Sequence, residues 1–228
     1  MRYLKLQDLS GRFALKGFFV ALLFSLSSCG EGPQFEYMTH NVQGHQFKVP
    51  SAYIPDGVYY SSDDVSIGWI LLGAYLPDMR PWRRDMVKWK DPRDPDRVRI
   101  HVKENTHNDW NQVVGIRLES STGYFGKYKD TGWENYGFNM GPPKHGPDSY
   151  LLINPDGVNG TSLTICDYEA RVPNPSCRAS FHLSPHLHVN FYFLQVRMDE
   201  WADIERKVYD LVHGFEIAAE ETIDAHPD

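Results

Sequence analysis

Hydrophobic positions in this chain fall mostly in short alternating or continuous runs, and only once in a long helical stripe. From Leu187 to Arg197, Leu187, Val189, Phe191 and Phe193 face one way while His188, Asn190 and Tyr192 face the other. That period of two belongs to a strand with one buried side. Similar runs predict strands at Val98–Val102, Val113–Glu119, Tyr150–Ile153, Ser162–Tyr168 and Arg178–Leu183. Ile67 to Tyr75 is continuously apolar between Asp64 and Pro77, which predicts a strand covered on both sides. Between Phe35 and Val49, two alternating runs flank Gln43-Gly44-His45 and predict a hairpin.

Helical spacing is rarer. Trp201, Ile204, Val208, Leu211, Val212 and Phe215 form a single apolar stripe, so a helix is predicted over Glu200–Gly214. Asp199 is placed to cap its first turn, and Gly214 to end it. A shorter helix is predicted within Pro81–Lys90, closed by the repeated Asp-Pro of residues 91–96. The strongest break is Gly141-Pro142-Pro143-Lys144-His145-Gly146-Pro147. The pattern predicts an α+β fold, mostly antiparallel β-sheet, with one long C-terminal amphipathic helix. The break suggests two packed lobes, 35–140 and 149–216, followed by an acidic tail at 217–228.

The N-terminus changes the picture. Arg2, Lys5, Arg12 and Lys16 precede an apolar core from Gly17 to Leu26, and Leu26-Ser27-Ser28-Cys29 follows it. This is the three-part layout of a signal peptide over residues 1–28, with a core too short to span a bilayer. Leu-Ser-Ser-Cys resembles the lipobox of bacterial lipoproteins, which implies that Cys29 is lipidated and starts the mature chain, with residues 29–34 as a tether. Glycine at position 30, where aspartate would favour the inner membrane, implies the periplasmic face of the outer membrane. Of the three cysteines, Cys166 and Cys177 then remain as an even pair in an oxidising compartment, and a disulfide is expected between them.

Charge narrows the partners. The whole chain carries a net −7. Without the leader, 19 basic residues face 29 acidic ones, a net of −10. Such a body lacks the basic footprint that nucleic acid requires. Residues 199–228 hold ten acids against Arg206 and Lys207, whereas residues 78–103 hold nine cations against five acids. Among the acids, Glu200, Asp203 and Asp210 on the predicted C-terminal helix are candidates for contact with a protein partner.

Catalytic signatures are missing: there is no Gly-x-Ser-x-Gly, Ser-x-x-Lys or His-Glu-x-x-His. No enzymatic activity and no cofactor are therefore expected. His182, His186 and His188 form the best metal-like cluster, but Pro185 places them around a turn without a carboxylate, so metal binding is not expected. Asp91, Asp94 and Asp96 lack the glycine and distal glutamate of a calcium loop. Tyr124-Phe125-Gly126-Lys127-Tyr128 and Trp133 to Phe138 form an aromatic, glycine-rich segment, expected as half-buried hairpins or a binding surface.

Several pieces together carry a family resemblance. Phe47-Lys48-Val49-Pro50, Ala74-Tyr75-Leu76-Pro77, Cys166, Pro173-x-Pro175-x-Cys177 with Phe181, and Trp201-x-x-Ile204-Glu205-x-x-Val208-x-x-Leu211-x-x-x-Phe215 resemble lipoprotein immunity proteins of type VI secretion loci. The resemblance implies a protein that neutralises an antibacterial lipase or phospholipase effector in the periplasm by binding it. It transfers no inhibitory residue, because the matched positions are structural. An envelope accessory lipoprotein and an exported hydrolase are the competing readings.

Overall fold

Gln43 and Gly44 both take left-handed backbone angles, φ 54° and 83°. Such a two-residue turn matches the natural twist of a hairpin. It joins β1 (Tyr37–Val42) to β2 (His45–Pro50), as the sequence predicts. A computed structural model describes this hairpin within residues 36–55, and further residues 68–82, 93–105, 109–129, 131–138, 149–168 and 175–223, with side chains only to residue 216. The leader, Cys29, the tether, residues 83–92, the 141–147 break and residues 224–228 lie outside the described residues.

The remaining elements are β3 (Trp69–Tyr75), β4 (Arg80–Pro81), β5 (Arg97–Glu104), α1 (Trp110–Glu119), β6 (Ser121–Lys127), β7 (Glu134–Phe138), β8 (Ser149–Gly157), β9 (Gly160–Asp167), β10 (Ser176–Ser184), β11 (Leu187–Leu194) and α2 (Trp201–Ile223). Nine strands form one antiparallel sheet in the order β4-β3-β5-β11-β10-β9-β8-β7-β6. The α+β class with a mostly antiparallel sheet is as expected. The two-lobe division is not what the strands display. β7 pairs with β8 and β5 with β11, so strands from both sides of the 141–147 break share one sheet. All described residues belong to one unit, Phe35–Asp228.

One face of the sheet holds the larger core. Val98, Ile100 and Val102 of β5, and Val189, Phe191 and Phe193 of β11, point into it by strict alternation. From α2, Trp201, Ile204, Val208 and Val212 are wholly buried against them. Each such side chain contributes roughly 1.5–3 kcal/mol of transfer free energy, so this seam dominates the stability. Phe47 and Val49 of the hairpin join the same core. Cys166 and Cys177 are direct cross-strand neighbours, bonded at 2.03 Å and fully buried, with Met198 Sδ 3.7 and 3.8 Å away.

α1 packs on the other face, over β7, β8 and β9, where Phe138, Leu151, Ile153, Leu163 and Ile165 form a second core. Residues 113–119 were expected as a strand, and the structure corrects this to helix. The Asp109 carboxylate accepts from the Asn111 amide at 2.9 Å and caps the first turn. Trp110, Val113, Val114 and Leu118 then form a stripe at offsets of three, four and eight. Val-Val-Gly-Ile has strand propensity, but packing against the sheet outweighs it. Trp110 Nε1 donates to the Thr161 carbonyl at 2.6 Å, which fixes the helix start.

The long helix also departs from expectation at both ends. Residues 195–200 form a 3₁₀ helix, and Asp199 pairs with Lys129 instead of capping α2. Gly214 does not end α2, which runs on to Ile223. A helical glycine costs about 1 kcal/mol, yet contacts beyond it offset that cost. Phe215 packs edge-on to Tyr53 at 5.1 Å, and Glu216 meets His45 Nδ1 at 2.5 Å.

Glu205 is the exceptional residue of α2, a carboxylate at 1% exposure. Ser162 Oγ donates to it at 2.8 Å and the Val158 amide at 2.9 Å, tying α2 to the β8–β9 turn. Burial pushes its carboxyl pKa up, against the pull of those hydrogen bonds. Gly157 is required beside it, since a Cβ there would lie 2.8 Å from Glu205 Oε1 and 2.6 Å from the Gly160 carbonyl oxygen. Glu205→Ala leaves the buried Ser162 hydroxyl and the part-buried Val158 amide without this acceptor, and should lower stability by about 1–3 kcal/mol in thermal or urea unfolding. An unfolding midpoint equal to wild type would show that the network contributes nothing.

Candidate functional site

Alternation that sends one half of each central strand into the core sends the other half to the opposite face. There the register aligns Lys103 with His188 and His182, His101 with Asn190 and Ser180, and Arg99 with Tyr192 and Arg178. In β9 the same rows continue as Leu163 and Ile165, and α1 covers those. The face therefore changes from apolar under α1 to basic beside it. At the junction lies a pocket of about 280 Å³.

Trp110, Val113 and Ile116 of α1 form one wall of the pocket, with Leu163 and Ile165 at its base. Lys103, Arg117 and Arg178 converge on it from β5, α1 and β10. All three are half-buried, and none takes part in an ion pair among the described residues. No acid lines the pocket among those residues. Burial lowers the Lys103 pKa, and the neighbouring Arg178 and Arg117 lower it further. Arg117 is lowered by burial and by Arg178. Ser180 Oγ donates to Asn190 Oδ1 at 2.6 Å on the pocket wall. In the adjacent row, Arg99 lies over the Tyr192 ring at 4.5 Å, a cation–π contact.

Residues singled out from sequence lie elsewhere. Glu200, Asp203 and Asp210 are all exposed, on the side of the sheet that α2 covers. Arg197 pairs with Glu200 and Lys207 with Asp203, each at 2.6 Å, and Asp210 has no ion pair among the described residues. Exposed pairs of this kind hold little energy, about 0–1 kcal/mol, so they remain available to a partner. The aromatic segment divides in two. Tyr124 and Phe125 stand 55% and 54% exposed on the edge strand β6. Trp133 instead packs edge-on to the buried Trp201 at 4.3 Å.

His182 and His188 are cross-strand neighbours whose rings lie 5.8 and 6.5 Å from that of Trp110. His186 sits exposed in the turn, its carbonyl accepting from the Asn105 amide at 2.8 Å. Among the described residues no group of three side chains could hold a metal ion. Asp94 accepts from the Asp96 amide, and Asp96 pairs with Arg197, so both are engaged structurally. Sequence reasoning missed the cluster of Lys103, Arg117 and Arg178, because three elements far apart in sequence supply it.

No family model matches the sequence, and no curated protein matches it. Solved structures do match in fold. Smlt3025, an immunity protein of the Stenotrophomonas maltophilia type IV secretion system, has a TM-score of 0.58 at 14% identity, covering 78% of this chain and 92% of that one. The fold is one that a secretion-system immunity protein uses. FrpD, an iron-regulated outer membrane lipoprotein of Neisseria meningitidis, has a TM-score of 0.51 at 15% identity, covering 79% and 92%. At these identities the likeness establishes fold. The sequence resemblance pointed to type VI loci, whereas Smlt3025 belongs to a type IV system.

His101 gives the basic face a measurable signature. Burial, then Arg99 and Lys103, push its pKa down to about 4 from 6.5. Its neutral form is favoured in the fold, so its contribution is complete above pH 6.5 and is lost as pH falls toward 4. The slope approaches 1.4 kcal/mol per pH unit for one proton. His101→Gln should flatten stability between pH 6.5 and 4, measured by urea unfolding at stepped pH. Parallel curves for variant and wild type would disprove the assignment.

Proposed function

We propose that this protein is a lipid-anchored envelope protein that binds and neutralises an antibacterial effector delivered by a secretion system. The observation that carries the reading is a fold shared with a secretion-system immunity protein over 92% of that protein's length. The lipobox at Cys29 and the absence of catalytic signatures in the sequence agree with it. So does the shared fold with an outer membrane lipoprotein. In this reading the protein acts without chemistry of its own, at the periplasmic face of the outer membrane, by covering the entrance to the effector's active site. In this reading the effector is a lipase or phospholipase of a type VI locus, as the sequence resemblance implies.

The exposed acids of α2 are the proposed contact. Charge on a rim steers encounter and sets specificity more than it adds affinity. FrpD supports a second reading, an accessory lipoprotein of the envelope, in which no toxin is bound.

Deleting the gene should sensitise cells to the neighbouring secreted effector, and the wild-type gene should restore growth. Cys29→Ser should leave the protein in the soluble fraction and weaken protection. Reversing charge at Asp203 and Asp210 to Lys should slow association with the effector about tenfold at low salt, read by surface plasmon resonance. Full resistance of the deletion strain would overturn the immunity reading, and an unchanged association rate would remove α2 as the contact.

A further inference from the structure

We infer that the pocket between α1 and strands β5, β9, β10 and β11 binds an anion carried on an apolar body, an organic phosphate or carboxylate. Three observations converge. Lys103, Arg117 and Arg178 reach the pocket from three different elements. None of them has an acidic partner among the described residues, in a chain whose acids outnumber its cations 30 to 23. Trp110, Val113, Ile116, Leu163 and Ile165 supply an apolar half directly beside them.

A structural role does not account for this arrangement. Mutual repulsion of half-buried cations opposes folding, and a solvated surface would intersperse acids among them. A bound anion converts the repulsion into charge-assisted hydrogen bonds, two of them from guanidinium groups shaped for phosphate or carboxylate oxygens. The apolar wall then covers the rest of the ligand. A pocket of about 280 Å³ fits a single aromatic ring with its anionic group, and lies near the lower end of small-molecule sites.

The site is independent of the effector reading, and its anion has two sources: a free small molecule, or an acidic group presented by the protein partner. The test uses the full chain in nonionic detergent, titrated calorimetrically with phenyl phosphate, inorganic phosphate and benzyl alcohol. Phenyl phosphate should bind one to one, and the other two about tenfold more weakly or less, since each lacks one half of the recognition. Lys103→Gln and Arg178→Gln should each weaken phenyl phosphate about tenfold, Arg178→Lys should fall between wild type and Arg178→Gln because it keeps the charge and loses the guanidinium fork, and Arg206→Gln on α2 should change nothing. Circular dichroism melts establish that the variants fold. Absence of one-to-one binding, benzyl alcohol binding as tightly as phenyl phosphate, or indifference to both Gln substitutions would overturn the proposal. With binding established, saturating phenyl phosphate is added to effector capture. Lost capture assigns the pocket to an acidic group of the effector, and unimpaired capture assigns it to a free ligand.

Discussion

The structure depends on the pairing of β5 with β11, which closes one sheet from distant parts of the chain. Residues 99–104 and 187–192 meet in register, and alternate side chains of the two strands are buried under α2. Because a strand's side chains alternate strictly, fixing that register on the core side also fixes the opposite side. Val98, Ile100 and Val102 cannot be buried without presenting Arg97, Arg99, His101 and Lys103 on the other face. Core packing and surface chemistry are thus set by one constraint.

Two covering elements of unequal length divide the faces between them. α2 spans 23 residues and seals the larger core, held at its first turns by Glu205 on the β8–β9 turn. α1 spans ten residues and packs over β7, β8 and β9. The basic pocket lies beside its apolar contact, where the rows of the sheet change from aliphatic to cationic. β8 follows the same logic. It lies between both cores, so Tyr150-Leu151-Leu152-Ile153 is apolar without alternation.

Opposite faces therefore carry opposite charge. The outer side of α2 and the 3₁₀ turn before it displays Glu200, Asp203 and Asp210, while the pocket beside α1 gathers Lys103, Arg117 and Arg178. Such separation lets each patch orient a different approach. The nine-stranded sheet supplies the frame on which both patches are held.

Sequence by itself determined the local elements whose signal is local. The Gln43-Gly44 hairpin, the alternating β11 and the stripe from Trp201 to Phe215 were legible because turn chemistry and side-chain period act over a few residues, and the cysteine pair because only two cysteines remain once Cys29 is set aside. It misread 113–119, where β-branched residues suggested a strand and the helical stripe emerges only once Asp109 and Trp110, which precede that span, are included. It also placed a stop at Gly214, where Tyr53 and His45, far away in sequence, hold the next turn. Only the tertiary structure decided that a single sheet runs through both halves of the chain, and that Lys103, Arg117 and Arg178 share a pocket. The reason is physical: long-range strand register decides which residues become neighbours across the sheet, and no local pattern encodes it.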